Sequence, residues 1–485
     1  MGLVQCTGGT PLCEESSGCL YSCDPVAEPS CLTTDNGVFV DSKQQGAETR
    51  LGTKEAPYGT LSEALGALGN RSSIYICDGQ YNEKLTLTRA VSLYGGYDCT
   101  SWTRDGSQPK VVSTDAHAAL TLSGLSSSVT ISDLAFQSGD AVDAGDSSIA
   151  IFIANSDVTL RHVMAAAGAG APGINPGAPP TNLVTKPAAV ATDDTGAGPT
   201  ECDCADGSKS TGGQGGNGGD NATAGQPGSS DPSVEEAGWG TGGAACKAES
   251  PPTACGTGNI GANASLGGAG GAGAASWGTL DADGWHPADG SPGTAGSPGQ
   301  GGGGGGGGPS TTGGGGGSGA CGGCGGAGGL GGGSGGASIA VASYMSTVTV
   351  TSSIFTSGAG GVGGQGGTGE AGGASPGGGD PVSSAVDPNH GCQGGSGGNG
   401  AGGGGGGGGA GGISVGILSF GGTVAVGADT QIQNGDVGTP GQPGAPGAGG
   451  FSGAGTAAPD GADDATVGSP GISRTTLDLT PDSGS

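Results

Sequence analysis

A pair of short β-strand patterns occurs four times in this chain, and in each copy the second pattern begins ten residues after the first. The pairs begin at Ala119 and Val129, Ser148 and Val158, Ser338 and Val348, and Ser414 and Val424. Apolar residues alternate over only four to six positions in each copy, so no copy can bury its own apolar face. Stacked copies bury a continuous core, which is how a solenoid protein folds.

The repeat therefore predicts an all-β fold, a parallel β-helix in which strands of successive coils pair about 4.8 Å apart. Ile131, Leu160 and Val350 occupy the same position in three copies and are expected to stack inside the helix. An antiparallel sandwich is the alternative, and it would need tight turns such as Asn-Gly between its strands. The segments between the repeats contain no such turns, which favours the parallel β-helix.

The connection that follows the second strand of each copy varies greatly in length, so we expect all long insertions to leave from one corner of the stack. The sequence divides accordingly into a Cys-rich segment (1–35), a cap with the first coils (36–167), a glycine-rich insertion with six cysteines (168–337), a coil (338–357), a second glycine-rich insertion (358–412), a coil (413–435) and an acidic Gly/Pro-rich tail (436–485).

Glycine supplies 121 of the 485 residues, and most of it lies in these insertions. Ordering a residue costs about 1–2 kcal/mol and glycine is the worst case, so flexible linkers are one interpretation. The segment CGGCGGAGGLGG favours another, because Cys321, Cys324, Ala327 and Leu330 recur at every third position. A polyproline-II helix has three residues per turn, so these side chains would share one face and bare glycine faces could pack together. We predict that the insertions 168–337 and 358–412 are ordered in part, as polyglycine-II-like helices. The tail after residue 440 is not expected to be ordered, because its collagen-like segment GTPGQPGAPG is too short for a triple helix.

The fourteen cysteines indicate disulfide bonds and an oxidising compartment. Besides Cys77 and Cys99, those expected to form disulfides are Cys6, Cys13, Cys19, Cys23, Cys31, Cys202, Cys204, Cys246, Cys255, Cys321, Cys324 and Cys392. Zinc is the competing interpretation where cysteines are closely spaced, but no histidine stands at zinc-finger spacing. We therefore expect no metal and no cofactor. The first residues, MGLVQCTGG, lack an export signal, and we expect that the natural start lies upstream or that the signal has been removed.

The net charge of −29 restricts the partners of this chain. Eight of its thirteen Lys and Arg residues lie in the first 110 positions, and only four follow Arg161. So few basic residues cannot form the basic face that a nucleic-acid-binding protein needs to neutralise phosphates. An anionic membrane surface is disfavoured for the same reason. No apolar run reaches the length of a membrane span.

Residues 59–69, GTLSEALGALG, place apolar side chains on one face of a short helix, and Thr60 with Glu63 forms a capping-box pattern at its start. This helix and the strands after it, APYGTLSEAL and IYICDGQYNEKLTLTRAVSLYGGYDCTSW, resemble the N-terminal cap and first coils of secreted bacterial right-handed β-helix proteins of the pectin-lyase-like superfamily. With the later GAGG-type insertions, the chain resembles glycine-rich, PGRS-like secreted proteins of unknown function. The resemblance implies a right-handed parallel β-helix and export, and it implies no particular activity.

A disulfide between Cys77 and Cys99 is predicted at this capped end. Both cysteines follow strands, in IYIC and GGYDC, where consecutive coils lie adjacent.

The coils are poor in the residues that polysaccharide-cleaving enzymes need. A lyase needs a basic side chain, and Arg161 is the only one that the coil segments offer. A glycosidase needs paired carboxylates, and Asp133 with Asp157 are the coil candidates, both interpreted as turn residues. His162 is interpreted as an outward polar residue on a strand. We expect no catalytic activity.

Trp239, Trp277 and Trp285 all lie within the 168–337 insertion. Their rings could stack on sugars as a ligand-binding surface, or they could anchor the insertion against the coils. The sequence thus predicts a secreted structural or adhesive protein of the cell surface or matrix, whose partner would be a surface polysaccharide. A carbohydrate-binding β-helix module and a polysaccharide lyase or hydrolase are the alternatives.

Overall fold

The computed structural model describes residues 23–46, 49–231, 239–247, 255–309, 311–382, 390–452 and 456–479, and nearly all of their regular secondary structure is β. Two 3-10 turns, Pro29–Cys31 and Ser42–Gln44, and one short helix, α1 at Leu61–Gly66, lie near the N-terminus. Up to the first long insertion the strands are β1 Gly37–Val40, β2 Ser73–Cys77, β3 Gln80–Tyr81, β4 Leu85–Leu87, β5 Ser92–Tyr97, β6 Lys110–Val112, β7 Leu120–Ser123, β8 Val129–Ser132, β9 Ala135–Gln137, β10 Ser148–Ala154, β11 Asp157–Arg161 and β12 Met164–Ala166.

The first insertion contributes β13 Thr200–Asp203, β14 Lys209–Gly212, β15 Ser229–Asp231, β16 Gly278–Leu280 and β17 Trp285–Pro287. These strands pair antiparallel in two small sheets. After the insertion come β18 Ser338–Thr351, β19 Ile354–Thr356, β20 Ser414–Val426, β21 Gln431–Gln433 and β22 Ser473–Asp478.

The other strands form three parallel ladders. The first ladder is β4, β7, β10, the N-terminal halves of β18 and β20, and β22. The second is β1, β2, β5, β8, β11 and the C-terminal halves of β18 and β20. The third is β3, β6, β9, β12, β19 and β21. From β4 onward the chain visits the three ladders in the same order in every repeat, which is a β-helix-like solenoid and rules out the antiparallel sandwich.

The repeat also gives the register of the second ladder correctly. Leu160 pairs with Ile131 on one side and with Val350 on the other, and all three are buried in the main apolar cluster.

Two residues differ from the sequence interpretation. Asp157 is the first residue of β11 rather than a turn residue. His162 lies past the end of β11, with a φ of 50°, so it occupies a corner and not a strand.

Helix α1 is held at its start by side chains from three places. The Thr60 hydroxyl accepts a hydrogen bond from the amide of Glu63 at 3.1 Å. The Glu63 carboxylate, however, accepts from the amide of Gly59 and not from that of Thr60, so the capping box is not reciprocal. The carboxylate of Glu83 accepts from the amides of Leu61 and Ser62, which satisfies donors that a helix leaves open at its N-terminus.

The glycine-rich segments are joined by backbone hydrogen bonds at every third residue. Amides between Gly317 and Gly335 donate in constant register to the carbonyls of 392–410, and the last of these bonds leads directly into the pairing of β18 with β20. Amides of 394–412 donate to the carbonyls of 361–379, and these two segments run antiparallel, from Gly394 bonded to Gly379 to Gly412 bonded to Gly361. We call the joined segments within 168–337, 358–412 and 434–471 the glycine bundle. The tail residues 441–450 belong to it, contrary to expectation, because amides such as that of Gly441 donate to carbonyls of 391–412.

Residues 391–412, the central segment, have six neighbouring segments. The amides of Gly402, Gly403 and Gly404 donate to three different segments, through the carbonyls of Pro459, Glu370 and Thr294. The carbonyls of the same three glycines accept from three further segments, through the amides of Gly268, Gly447 and Gly329. A side chain has no room here, since a Cβ on Gly404 would lie 2.0 Å from the carbonyl oxygen of Ala269.

Peripheral segments of the bundle have fewer neighbours and fewer glycines. In the Gly-Gly-X stretch around 361–369, Val362, Gln365 and Thr368 are exposed while the glycines between them face other segments. The number of glycines in each three-residue turn of a segment therefore indicates how many of the three faces of that segment are covered by the backbone of neighbouring segments.

Candidate functional site

A hairpin from the first insertion folds over the outer face of the first ladder and creates a groove. The hairpin consists of β16 and β17. Its Leu280 and Trp285 belong to an apolar cluster with Phe152, Ile339 and Leu418, which point outward from the ladder. The hairpin is thus attached to the parallel strands by apolar packing.

The groove has a volume of about 500 Å³, within the range of small-ligand sites. Thr121, Ile149 and Phe152 from the ladder contribute to its floor, and Asp283 and Trp285 line it from the hairpin. An aromatic ring beside hydroxyl and carboxylate groups is an arrangement that can hold a sugar, with the ring against its apolar face and polar groups on its hydroxyls.

Charged groups at one end of the groove are paired with one another. Lys84, which lines the groove, lies 2.8 Å from a carboxylate oxygen of Asp115, and the His117 Nδ1 lies 3.1 Å from the other. The hydrogen bond from Lys84 is the main reason that the pKa of Asp115 is held well below its usual range. Asp146 and Asp283 also line the groove, so its balance is acidic and favours neutral or cationic ligands over anionic ones.

The tip of the hairpin is fixed by Asp281. Its carboxylate accepts from the amides of Asp283 and Gly284, and the His286 ring lies 3.1 Å away. The amide of Asp283, followed by the His286 ring, lowers the pKa of Asp281. This loop therefore presents Asp283 and Trp285 to the groove from a hydrogen-bonded turn.

The three candidate tryptophans do not form one surface. Trp285 is 8% exposed and lines the groove, so it both anchors the hairpin and borders the candidate site. Trp277 packs against the same apolar cluster, and its Nε1 donates to the carbonyl of Pro470 at 2.8 Å. Trp239 is 45% exposed and is not among the residues that line the groove.

The cysteines that the structure describes are largely paired. Cys77 is bonded to Cys99, and Cys23 to Cys31. Three further disulfides lie in the glycine bundle, Cys202–Cys321, Cys204–Cys324 and Cys255–Cys392, so the closely spaced pairs are bonded across segments. Cys246 is a buried free thiol, contrary to the expectation that it is bonded. Cys6, Cys13 and Cys19 lie outside the described residues.

Three of the four coil residues considered for catalysis, Asp133, Arg161 and His162, are paired with charged groups at one corner, whereas Asp157 is exposed at the start of β11. Asp133 is buried, 2.9 Å from Arg104 Nη2 and 3.4 Å from His162 Nδ1. Arg161 is paired with Asp24 of the N-terminal segment at 2.9 Å. These charges bind one another and tie successive coils together, which is the behaviour of a structural cluster.

Asp41, Cys77 and Cys99 are the described residues whose ligand atoms come within metal-binding range of one another. Because the two sulfurs are joined in a disulfide, they are not available as thiolate ligands. None of the helices in the described part of the chain has the length and apolar character needed to cross a bilayer.

Sequence reasoning missed Phe152, Ile149 and the hairpin as parts of one site. A signal was present, because residues 149–154, IAIFIA, are continuously apolar. A strand that is apolar on both faces is covered on both faces, and the outer cover here is the hairpin.

Comparisons with protein-family models, with curated proteins and with solved structures found no match for this chain.

Proposed function

We propose that this chain is a secreted structural or adhesive protein of the cell surface or matrix, without catalytic activity. In this proposal the three ladders close into a right-handed parallel β-helix of the pectin-lyase-like type. The insertions form polyglycine-II-like helices beside it, as in PGRS-like proteins. The glycine bundle is the observation that carries the proposal, since it gives a large ordered layer with few functional groups and three disulfides suited to an oxidising environment.

The location and role can be tested in the producing cells. Antibodies to the purified chain should label intact cells or their matrix, and deletion of the gene should reduce attachment to surfaces. Restoring the full chain should restore attachment, whereas a chain lacking 358–412 should not. Label that appears only after the cells are permeabilised would contradict the proposal.

We expect the oxidised protein to resist proteolysis throughout 255–309 and 311–382. The backbone amides there are bonded between segments, and the disulfides lower the entropy of the unfolded chain. Addition of reductant should make cleavage of these residues at least several-fold faster. Limited proteolysis followed by peptide mass mapping measures this, and rapid cutting throughout both ranges before reduction would contradict an ordered bundle.

Carbohydrate binding in the groove is a second candidate function, and the position of Trp285 beside Thr121 and Asp283 is the observation that favours it. The acidic lining favours neutral or amino sugars over polyuronates. A glycan array identifies the ligand, and an array without any reproducible signal would remove this candidate.

For the strongest array ligand, Thr121→Trp is expected to weaken binding about tenfold or more, a loss of about 1.4 kcal/mol. The reason is that a large ring at this position fills the groove. Thr159→Trp is the matched control, because Thr159 is also half-buried but lies on the second ladder. Calorimetric titration of both variants decides the matter, and equal affinities would place the ligand elsewhere.

Cleavage of a polysaccharide, as a lyase or a hydrolase, is the third candidate function. An activity panel on neutral polysaccharides and on polyuronates, with and without calcium, tests it. If the unmodified chain turns over one of these substrates and the Asp133→Asn variant does not, the proposal that the chain has no catalytic activity is wrong.

A further inference from the structure

The segment 438–450 stands at the border of the glycine bundle and has a strict three-residue pattern of exposure. Gly438, Gly441, Gly444 and Gly447 are buried. The residues directly after them, Thr439, Gln442, Ala445 and Ala448, are exposed, and Pro440, Pro443 and Pro446 are half-buried. We call the six residues Thr439, Pro440, Gln442, Pro443, Ala445 and Pro446 the proline ridge.

The backbone beneath the proline ridge is fixed. The amides of Gly438, Gly441 and Gly444 donate to the central segment at Gly412, Gly409 and Gly406. The carbonyls of Thr439, Gln442 and Ala445 accept from the amides of Gly363, Gly366 and Gly369. The inward direction of the glycines is obligatory, since a Cβ on Gly441 would lie 1.8 Å from the carbonyl oxygen of Gly364.

This arrangement matches a known mode of peptide recognition. Domains that bind polyproline-II ligands accept two X-Pro dipeptides on aromatic-lined surfaces, while the residue between the dipeptides supports the helix from behind. Here the dipeptides Thr439-Pro440, Gln442-Pro443 and Ala445-Pro446 point outward, and the intervening glycines face the bundle.

We propose that the proline ridge is a docking surface for a protein domain with an aromatic-lined groove that accepts successive X-Pro dipeptides. The proposal rests on the polyproline-II conformation proposed above for the bundle. A free Pro-rich peptide loses conformational freedom when it binds, whereas the ridge is already held in its bound shape.

The charge of the chain restricts the partner further. Arg474 is the only Lys or Arg after Lys247, and Asp436 precedes the ridge. The partner groove therefore has a neutral or basic rim. It lacks the acidic pocket that binds an arginine next to the prolines in other proline-rich ligands.

The test compares the ridge in the full chain with the same residues as a free peptide. A small SH3-type domain is selected by display on a synthetic peptide of residues 436–449, and its affinity for the peptide and for the full oxidised chain is measured by calorimetric titration. We expect the chain to bind about tenfold more tightly than the peptide. Equal or weaker binding by the chain overturns the proposal, as does failure to select any domain on the peptide.

Substitutions locate the contact. The triple variant Pro440→Ala, Pro443→Ala and Pro446→Ala should lose at least about tenfold in affinity, because alanine does not fill the X-Pro surfaces. Pro292→Ala is the control, since Pro292 is exposed in the bundle but has Ala295 three residues later. Equal loss in both variants would overturn the proposal. The proteolysis experiment is independent, so a protected bundle with a ridge that does not bind would refute the docking surface alone.

Discussion

Replacement of Leu160 by aspartate is expected to abolish folding of the three parallel ladders. Leu160 is fully buried and stacked between Ile131 and Val350. A carboxylate at this position has no cationic partner in the apolar cluster, and burying an unpaired charge costs several kcal/mol. That is comparable with the 5–15 kcal/mol or so that stabilises a typical folded protein. Far-UV circular dichroism and thermal unfolding should show loss of the β spectrum and of the cooperative transition.

Thr159→Asp is the matched control for this prediction. Thr159 precedes Leu160 on the same strand, pairs with Thr130 and Thr349, and is only half-buried on the outer face. A carboxylate there remains hydrated, so we expect a change in stability within about 1 kcal/mol. A Leu160→Asp protein with unchanged thermal stability would mean that the register of the second ladder is wrong.

The substitution Gly404→Ala is expected to disrupt the glycine bundle although it adds a single methyl group. The new Cβ would lie 2.0 Å from the carbonyl oxygen of Ala269 and 2.3 Å from its carbonyl carbon. Backbone atoms of a neighbouring segment cannot turn aside as a flexible side chain can. Overpacking of this kind costs about 1–3 kcal/mol or more, and here the displaced segment also loses hydrogen bonds. Hydrogen exchange should show faster exchange across 391–412.

Gly177→Ala separates this steric effect from the general effect of replacing glycine. No atom lies within 4 Å of the position that a Cβ would take on Gly177, and its φ is not positive. Because alanine restricts the unfolded chain, we expect this variant to be unchanged or slightly more stable. Equal exchange rates in the two variants would show that the central segment is not enclosed by its neighbours.

Local periodicity was enough to predict the parallel strands, and it predicted individual residues correctly. The ten-residue offset placed Ile131, Leu160 and Val350 in one buried row, because parallel stacking without slippage preserves such an offset. His162 was misplaced for a physical reason as well. The apolar pattern of its strand ends at Leu160, and the corner that follows needs a positive φ that sequence alone does not reveal.

The candidate groove could not be predicted in the same way. Its two sides, β10 and the hairpin β16–β17, are more than a hundred residues apart and share no period. The tryptophan content of the insertion and the continuously apolar residues 149–154 pointed toward it, but neither signal separated Trp285 at the groove from Trp239 outside it. The docking of a hairpin on a sheet depends on shape complementarity, which leaves no regular trace in sequence.

The central segment is enclosed by backbone rather than by apolar side chains, and this has a thermodynamic consequence. Unfolding such a layer exposes mainly peptide groups, whose hydration lowers the heat capacity, and little apolar surface, whose hydration raises it. The heat-capacity change per residue should therefore be well below the usual 12–15 cal/mol/K or so. Stability that depends less on the hydrophobic effect weakens less on cooling, so the bundle should keep its order in the cold better than an apolar core of equal size.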